Sequence, residues 1–152
     1  MEGLPKLLNR LDSSFFVSLV GGFGVTDVAE TLMADIEQVL IDFDERAGGL
    51  VAVVLLMKTG LPVAARIRVP VEETFLSASL ASLLGIALDL SDKLFTVTPA
   101  RVILDTEAGS LILYGVNDDM SLVAIFKKQH LGAMILLVEQ AAKELARLFQ
   151  SP

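Results

Sequence analysis

Residues 49–69 read GLVAVVLLMKTGLPVAARIRV, and the division of this stretch decides the fold. Residues 50–57, LVAVVLLM, are a continuous apolar run rich in valine between Gly49 and Gly60. The run is too short for a helix and has no polar alternation, so it reads as a central strand covered on both faces. Lys58-Thr59-Gly60 turns the chain. In residues 61–69, Val63, Ala65, Ile67 and Val69 then alternate with Ala64, Arg66 and Arg68, a second strand whose Pro62 suits an edge position. So short a connection makes the pair an antiparallel hairpin.

Outward from the hairpin, both flanks carry helical periodicity. In residues 27–47, Val28, Leu32, Ile36, Val39, Leu40 and Phe43 recur at helical spacing with acidic residues largely between them, and Gly48-Gly49 end the segment. Thr26 or Asp27 reads as its N-cap. Residues 72–94 predict a second helix. At about 100° per residue, Leu76, Leu80, Leu83, Ala87 and Leu90 form one face, with Ala78, Ala81, Ser82 and Gly85 broadly opposite. The large face is expected to cover the sheet. A glycine within a helix costs up to about 1 kcal/mol relative to alanine, so the row of small residues points to close approach by another element. That element is either a copy of the same helix across a two-fold axis or a neighbour within the chain.

Three more strands follow at residues 101–106, 110–116 and 120–127, separated by Glu107-Ala108-Gly109 and Asn117-Asp118-Asp119 turns. Residues 131–150 close the chain as a third helix with Met134, Leu137, Val138, Ala141, Leu145 and Leu148 inward. Hairpins dominate, so the sheet is mainly antiparallel with helices on both faces. Residues 1–24 stand apart: LPKLLNRL fits a short amphipathic helix, and SSFFVSLV reads as a strand or a docking peptide.

A hydrophobic share of 53% in 152 residues is more than one small core absorbs, which makes self-association or a partner surface the first expectation. The net charge of -7 argues against a sequence-independent nucleic-acid binder, which must neutralise phosphates. With no cysteine and one histidine, thiol chemistry, zinc–thiolate sites and paired histidine ligands are excluded, and a reducing, cytoplasmic setting is permitted. The uncharged residues 74–88 fall short of the roughly 20 that a spanning helix needs, and no transmembrane segment is expected. Lys6 and Arg10 before an apolar run loosely resemble a secretory leader, but Asp12 intervenes and no small-residue cleavage site follows.

Little else in the chain suggests chemistry. The glycines of LVGGFGVTD, residues 19–27, complete neither a dinucleotide fingerprint nor a P-loop, because the third spaced glycine and the lysine are missing. The carboxylate pairs Asp42/Asp44, Asp105/Glu107 and Asp118/Asp119 fall at a helix end, a strand end and a turn, where solvated acids are ordinary. His130 opens a helix beside lysines, and Ser77, Ser79 and Ser82 lie within a helix rather than on a nucleophile elbow. Arg66, Arg68 and Arg101 read as edge-strand arginines that keep a sheet soluble, although an arginine finger for a GTPase has the same appearance in sequence. No catalytic residue, cofactor site or metal site is expected.

The order of elements, with GLVAVV at residues 49–54, GLPVA at 60–64, SLILYGVNDDMSLVAIF at 110–126 and Leu131-Gly132 opening the last helix, resembles the roadblock (dynein light chain) family, prokaryotic GTPase-regulator type. The turn at Lys58-Thr59-Gly60 departs from the family in lacking an acidic residue before the glycine, and residues 1–24 are an apolar extension outside its core pattern. The resemblance implies an α+β fold, an α/β/α sandwich in which a five-stranded antiparallel sheet carries one helix on one face and two on the other, with residues 25–152 as the roadblock-like domain. It also implies pairing through the second helix and third strand, with Ala78, Ala81, Ser82, Gly85, Arg101 and Ile103 at a homodimer or paralogue-heterodimer interface. The implied role is a non-catalytic platform for a Ras-like small GTPase, as a regulator of its cycle or a scaffold. A longin- or profilin-like or ligand-sensing module is the alternative from another class.

Overall fold

The computed structural model of the chain describes residues 25–150. The apolar segment 1–24, which contains the GGFG stretch, and residues 151–152 lie outside the described residues. In chain order the elements are α1 (Val25–Arg46), β1 (Leu50–Met57), β2 (Pro62–Ile67), α2 (Glu73–Phe95), β3 (Arg101–Asp105), β4 (Gly109–Gly115), β5 (Met120–Lys127) and α3 (Leu131–Leu148). One sheet runs β2-β1-β5-β4-β3, and every neighbouring pair is antiparallel. Helices α1 and α3 cover one face and α2 the other, which is the α+β sandwich expected from the sequence.

The uninterrupted apolar run is what places β1 inside the sheet. Flanked by β2 and β5, it buries every residue except Val51, with Val53 and Leu55 under α1 and α3 and Val54 and Leu56 under α2. The tight connections on either side of it rely on Gly49 (φ 77°) and Gly60 (φ 97°), whose left-handed backbone L-residues with a side chain rarely adopt. On the two-helix face, Phe126 of β5 meets Phe43 of α1 with ring centroids 6.0 Å apart. This face holds the larger of the two cores, because α3 and α1 also pack on each other there.

Three local expectations are corrected. The backbone is already helical at Val25, so Thr26 and Asp27 lie in the first turn of α1 rather than at its cap; Asp27 there faces the positive end of the helix dipole. The inner stripe of α1 is Ala29, Met33, Ile36, Leu40 and Phe43, while Val28 is exposed and Leu32 and Val39 are half-buried at its border. In β2 the register with β1 shifts between Leu55 and Leu56, a bulge that turns both Val63 and Ala64 to the two-helix side and leaves Ala65 facing α2. The strict alternation read across residues 61–69 fails at that bulge.

Candidate interaction surface

Helix α2 rests on the sheet by a single row one turn apart, Leu76, Leu80, Leu84 and Leu88, with Ser77 and Ala81 beside it, over Val54, Leu56, Leu113 and Val123. The buried arc is therefore turned from the one read in the sequence. Leu83 and Ala87 lie at its border, and Leu90 is exposed. Both arcs contain leucines, so periodicity alone does not separate them; the diagonal of the helix over the sheet decides.

What remains outside is an apolar face with no cover among the described residues. Phe75 is 67% exposed, Ile86 61%, Leu94 68% and Phe95 71%. Among them stand the small residues Ala78, Ser82 and Gly85, all exposed. Ser79 and Ser82 donate back to the carbonyls of Phe75 and Ala78, so the hydroxyls on this face are satisfied within the helix and make few demands on a partner. A Cβ built at Gly85 meets nothing within 4 Å, so packing inside the protomer gives no reason for a glycine there. By length and composition α2 is also long and apolar enough to cross a membrane, although its inner leucines are part of the core.

Beside α2, β3 is the edge of the sheet and, among the described residues, hydrogen-bonds only to β4. Its outer side has no strand partner among these residues, and Arg101, Ile103 and Leu104 are exposed. Of the residues expected at an interface, the structure places Ala78, Ser82 and Gly85 on the outward face of α2, and Arg101 and Ile103 on the neighbouring edge. Ala81 is different: it is half-buried toward the sheet, at the corner occupied by Gly60, so a charge there acts on the fold. Phe75, Ile86, Leu94 and Leu104 were missed by the sequence reading. Their signal was a helix apolar on nearly every side, of which a sheet covers only one.

The opposite edge is closed by a charge cluster that no local pattern announced. The Asp44 side chain, 4% exposed at the end of α1, accepts from Arg66 Nε at 3.0 Å and from Arg68 Nε and Nη2 at 3.1 and 2.6 Å. Burial pushes the Asp44 carboxyl up, but the hydrogen bonds and charges of Arg66 and Arg68 outweigh it and hold the group below the usual carboxylate range. This corrects two readings: Asp44 is not a solvated acid, and Arg66 and Arg68 clamp α1 to β2 rather than only keeping an edge soluble.

The other chemical candidates also have structural partners. Asp105 accepts from Ser110 Oγ and Lys128 Nζ, which lower its pKa. Asn117 Oδ1 accepts from the N–H groups of Asp119 and Met120 at 2.9 Å each, an Asx turn that closes the β4–β5 hairpin. His130 caps α3, its Nδ1 accepting from Ala133 N at 3.2 Å. Among the described residues no group of His, Asp or Glu is arranged to hold a metal ion.

Among the solved structures similar to this chain are three with the following matches. Myxococcus xanthus MglB matches with a TM-score of 0.72 and 21% identity, over 77% of this chain and 89% of that one. An MglB with tetrameric arrangement matches with a TM-score of 0.65 and 22% identity, over 79% and 88%. The Roadblock/LC7 domain from Streptomyces avermitilis matches with a TM-score of 0.66 and 12% identity, over 72% and 93%. No protein-family model and no curated protein matches the chain.

Proposed function

We propose that this chain, which has the roadblock fold, is a non-catalytic dimeric adaptor that acts in the cytoplasm on a Ras-like small GTPase, regulating its cycle or scaffolding a complex around it. The observation that carries the reading is the uncovered apolar face of α2 beside the open β3 edge. Leaving residues such as Phe75, Ile86 and Leu90 in water forfeits roughly 1.5–3 kcal/mol each compared with full burial, so a surface of this kind favours association. A second copy fits it by symmetry. Two α2 helices crossing at Ala78, Ser82 and Gly85 approach closely, while two β3 edges, with Arg101 and Ile103, pair around the same two-fold axis. The tetrameric arrangement of one similar MglB supports self-association of a chain with this fold. Any guanine nucleotide belongs to the partner in this reading.

The test is a pull-down from native extract on immobilised protein, with a nonhydrolysable GTP analogue or GDP present. Retention of a Ras-like GTPase in one nucleotide state is the expected result and assigns the direction of regulation. A folded dimer that retains no GTPase in either state refutes the adaptor reading and favours a ligand-sensing or trafficking module.

A further inference from the structure

At the end of the sheet where β1 stops at Met57, helix α2 outruns the strands beneath it. Leu84 and Leu88 still rest on the α2 face of the sheet, but Phe95, two turns beyond Leu88 on the same stripe, is exposed, as are Leu94 and Val97 beside it. The paired strand residues on this face at this end are small, Gly115 of β4 and Ser121 of β5, where the preceding pair is Leu113 and Val123. A partly open cavity of about 120 Å³ results, with Leu84, Leu88 and Leu113 as its apolar walls. Its rim carries Lys58 and Asp118, of opposite charge. Arg101 stands across from Tyr114 and its charge acts on Glu139 of α3, on the other face of the sheet. With no excess charge to hold an ion, the cavity suits an apolar group.

We propose that residues 13–20 of the same chain, SSFFVSLV, dock at this place, with the ring of Phe15 or Phe16 in the cavity and the apolar residues beside it over Leu94, Phe95 and Val97. An apolar cavity of about 150 Å³ holds a benzene molecule, so about 120 Å³ open on one side admits a phenyl ring. The stretch contains no charged residue that docking has to strip of water. Its attachment is at the right end of the sheet: Ala47-Gly48-Gly49 join α1 to the start of β1, so Val25, at the other end of α1, lies toward Met57. Rounding the sheet from the α1 layer to the α2 layer and crossing from β1 to β4 takes about 20–25 Å, with layers about 10 Å and strands about 4.8 Å apart. Phe16 stands nine residues before Val25, a reach of about 30 Å. Gly21, Gly22 and Gly24 fall between the two, where the reversal needs residues that take either hand of backbone. The docked segment covers the C-terminal end of α2 and leaves Ala78, Ser82 and Gly85 to a second copy, so the inference stands apart from the GTPase reading.

The chain has no cysteine, so Ser18→Cys gives a single attachment point for a nitroxide spin label. Paramagnetic broadening of amide resonances is recorded on the isotope-labelled full chain carrying the label, and on a mixture in which label and isotope are on different molecules. Broadening at Leu88, Ala100 and Gly115 is expected in the first sample and not in the second. Phe15→Ser combined with Phe16→Ser is expected to remove it, the ratio of docked to undocked segment falling roughly tenfold or more. Gly115→Phe, which fills the cavity, is expected to do the same, and the double variant, made outside residues 25–150, covers the case in which Gly115→Phe folds poorly. The absence of broadening at these residues overturns the proposal. So does broadening centred on α1 and α3, broadening that survives the double variant, or broadening of equal size in the mixed sample, which assigns the site to the segment of a second copy. Because the readout is made on the protein alone, its failure is distinct from failure to retain a GTPase.

Discussion

Replacing Gly85 with leucine separates the fold of the protomer from its assembly. Gly85 is exposed on the outward face of α2, and a side chain there meets nothing within 4 Å. Within one protomer the change therefore relieves the helix of a poor former, a gain of somewhat under 1 kcal/mol. In a dimer whose α2 helices cross at this face, each inserted side chain overpacks a close contact at a cost of about 1–3 kcal/mol. The two-fold axis makes two insertions, so the dimer loses about 2–6 kcal/mol, a weakening of roughly 30-fold to more than 10⁴-fold. Sedimentation velocity over a concentration series measures the dissociation constant, and urea unfolding of the variant below it measures the monomer. Gly85→Leu is expected to be a folded monomer where the parent is a dimer, with intrinsic stability no lower than the parent's monomer. Gly85→Ala, far smaller, is expected to keep most of the association. A Gly85→Leu protein that dimerises with the parent's concentration dependence refutes the proposed interface, and one that unfolds refutes the claim that α2 has open space there.

The Asp44 clamp is expected to matter for stability. Asp44→Asn removes the charge that holds two guanidinium groups, and because those groups are 43% and 58% exposed the loss is about 2 kcal/mol, below the range for a fully buried pair. The Asp44 pKa is lowered on folding, so its contribution is complete above the ordinary carboxylate value near 4 and fades as pH falls through the lower folded value; urea midpoints from about pH 6 to about pH 2.5 are expected to show a flatter acid limb in Asp44→Asn. Gly109→Ala drives a Cβ into the backbone carbonyl of Phe126 and is expected to lower stability by at least about 2 kcal/mol, read from the unfolding midpoint. Asn117→Ala removes both bonds of the Asx turn and is expected to cost about 1 kcal/mol by the same measurement.

Much of the candidate surface was legible before the structure, although its boundaries were not. The small residues Ala78, Ser82 and Gly85 were identified by spacing and do face outward, whereas Ala81, from the same row, faces in. The difference is a rotation of α2 about its own axis. Its leucines at 76, 80, 84 and 88 and those at 83 and 90 offer two overlapping apolar arcs of comparable strength, and neither is marked as inner by anything local. A similar ambiguity moved the inner stripe of α1 onto Ala29 and Met33, since an alanine with no polar atoms is as suitable beneath a helix as the valine beside it.

The sequence by itself determined the order of the elements and their antiparallel pairing, because period-2 and period-3.6 patterns and connections of a few residues are local properties of a chain. Composition and length also set the expectation of more apolar surface than one small core absorbs. The tertiary structure decided which arc of α2 lies against the sheet, where the bulge falls in β2, and that Asp44 meets Arg66 and Arg68, 22 and 24 residues away. Each of these depends on the lateral position of one layer over another. Packing energy summed over many residues sets that position, and no single segment encodes it.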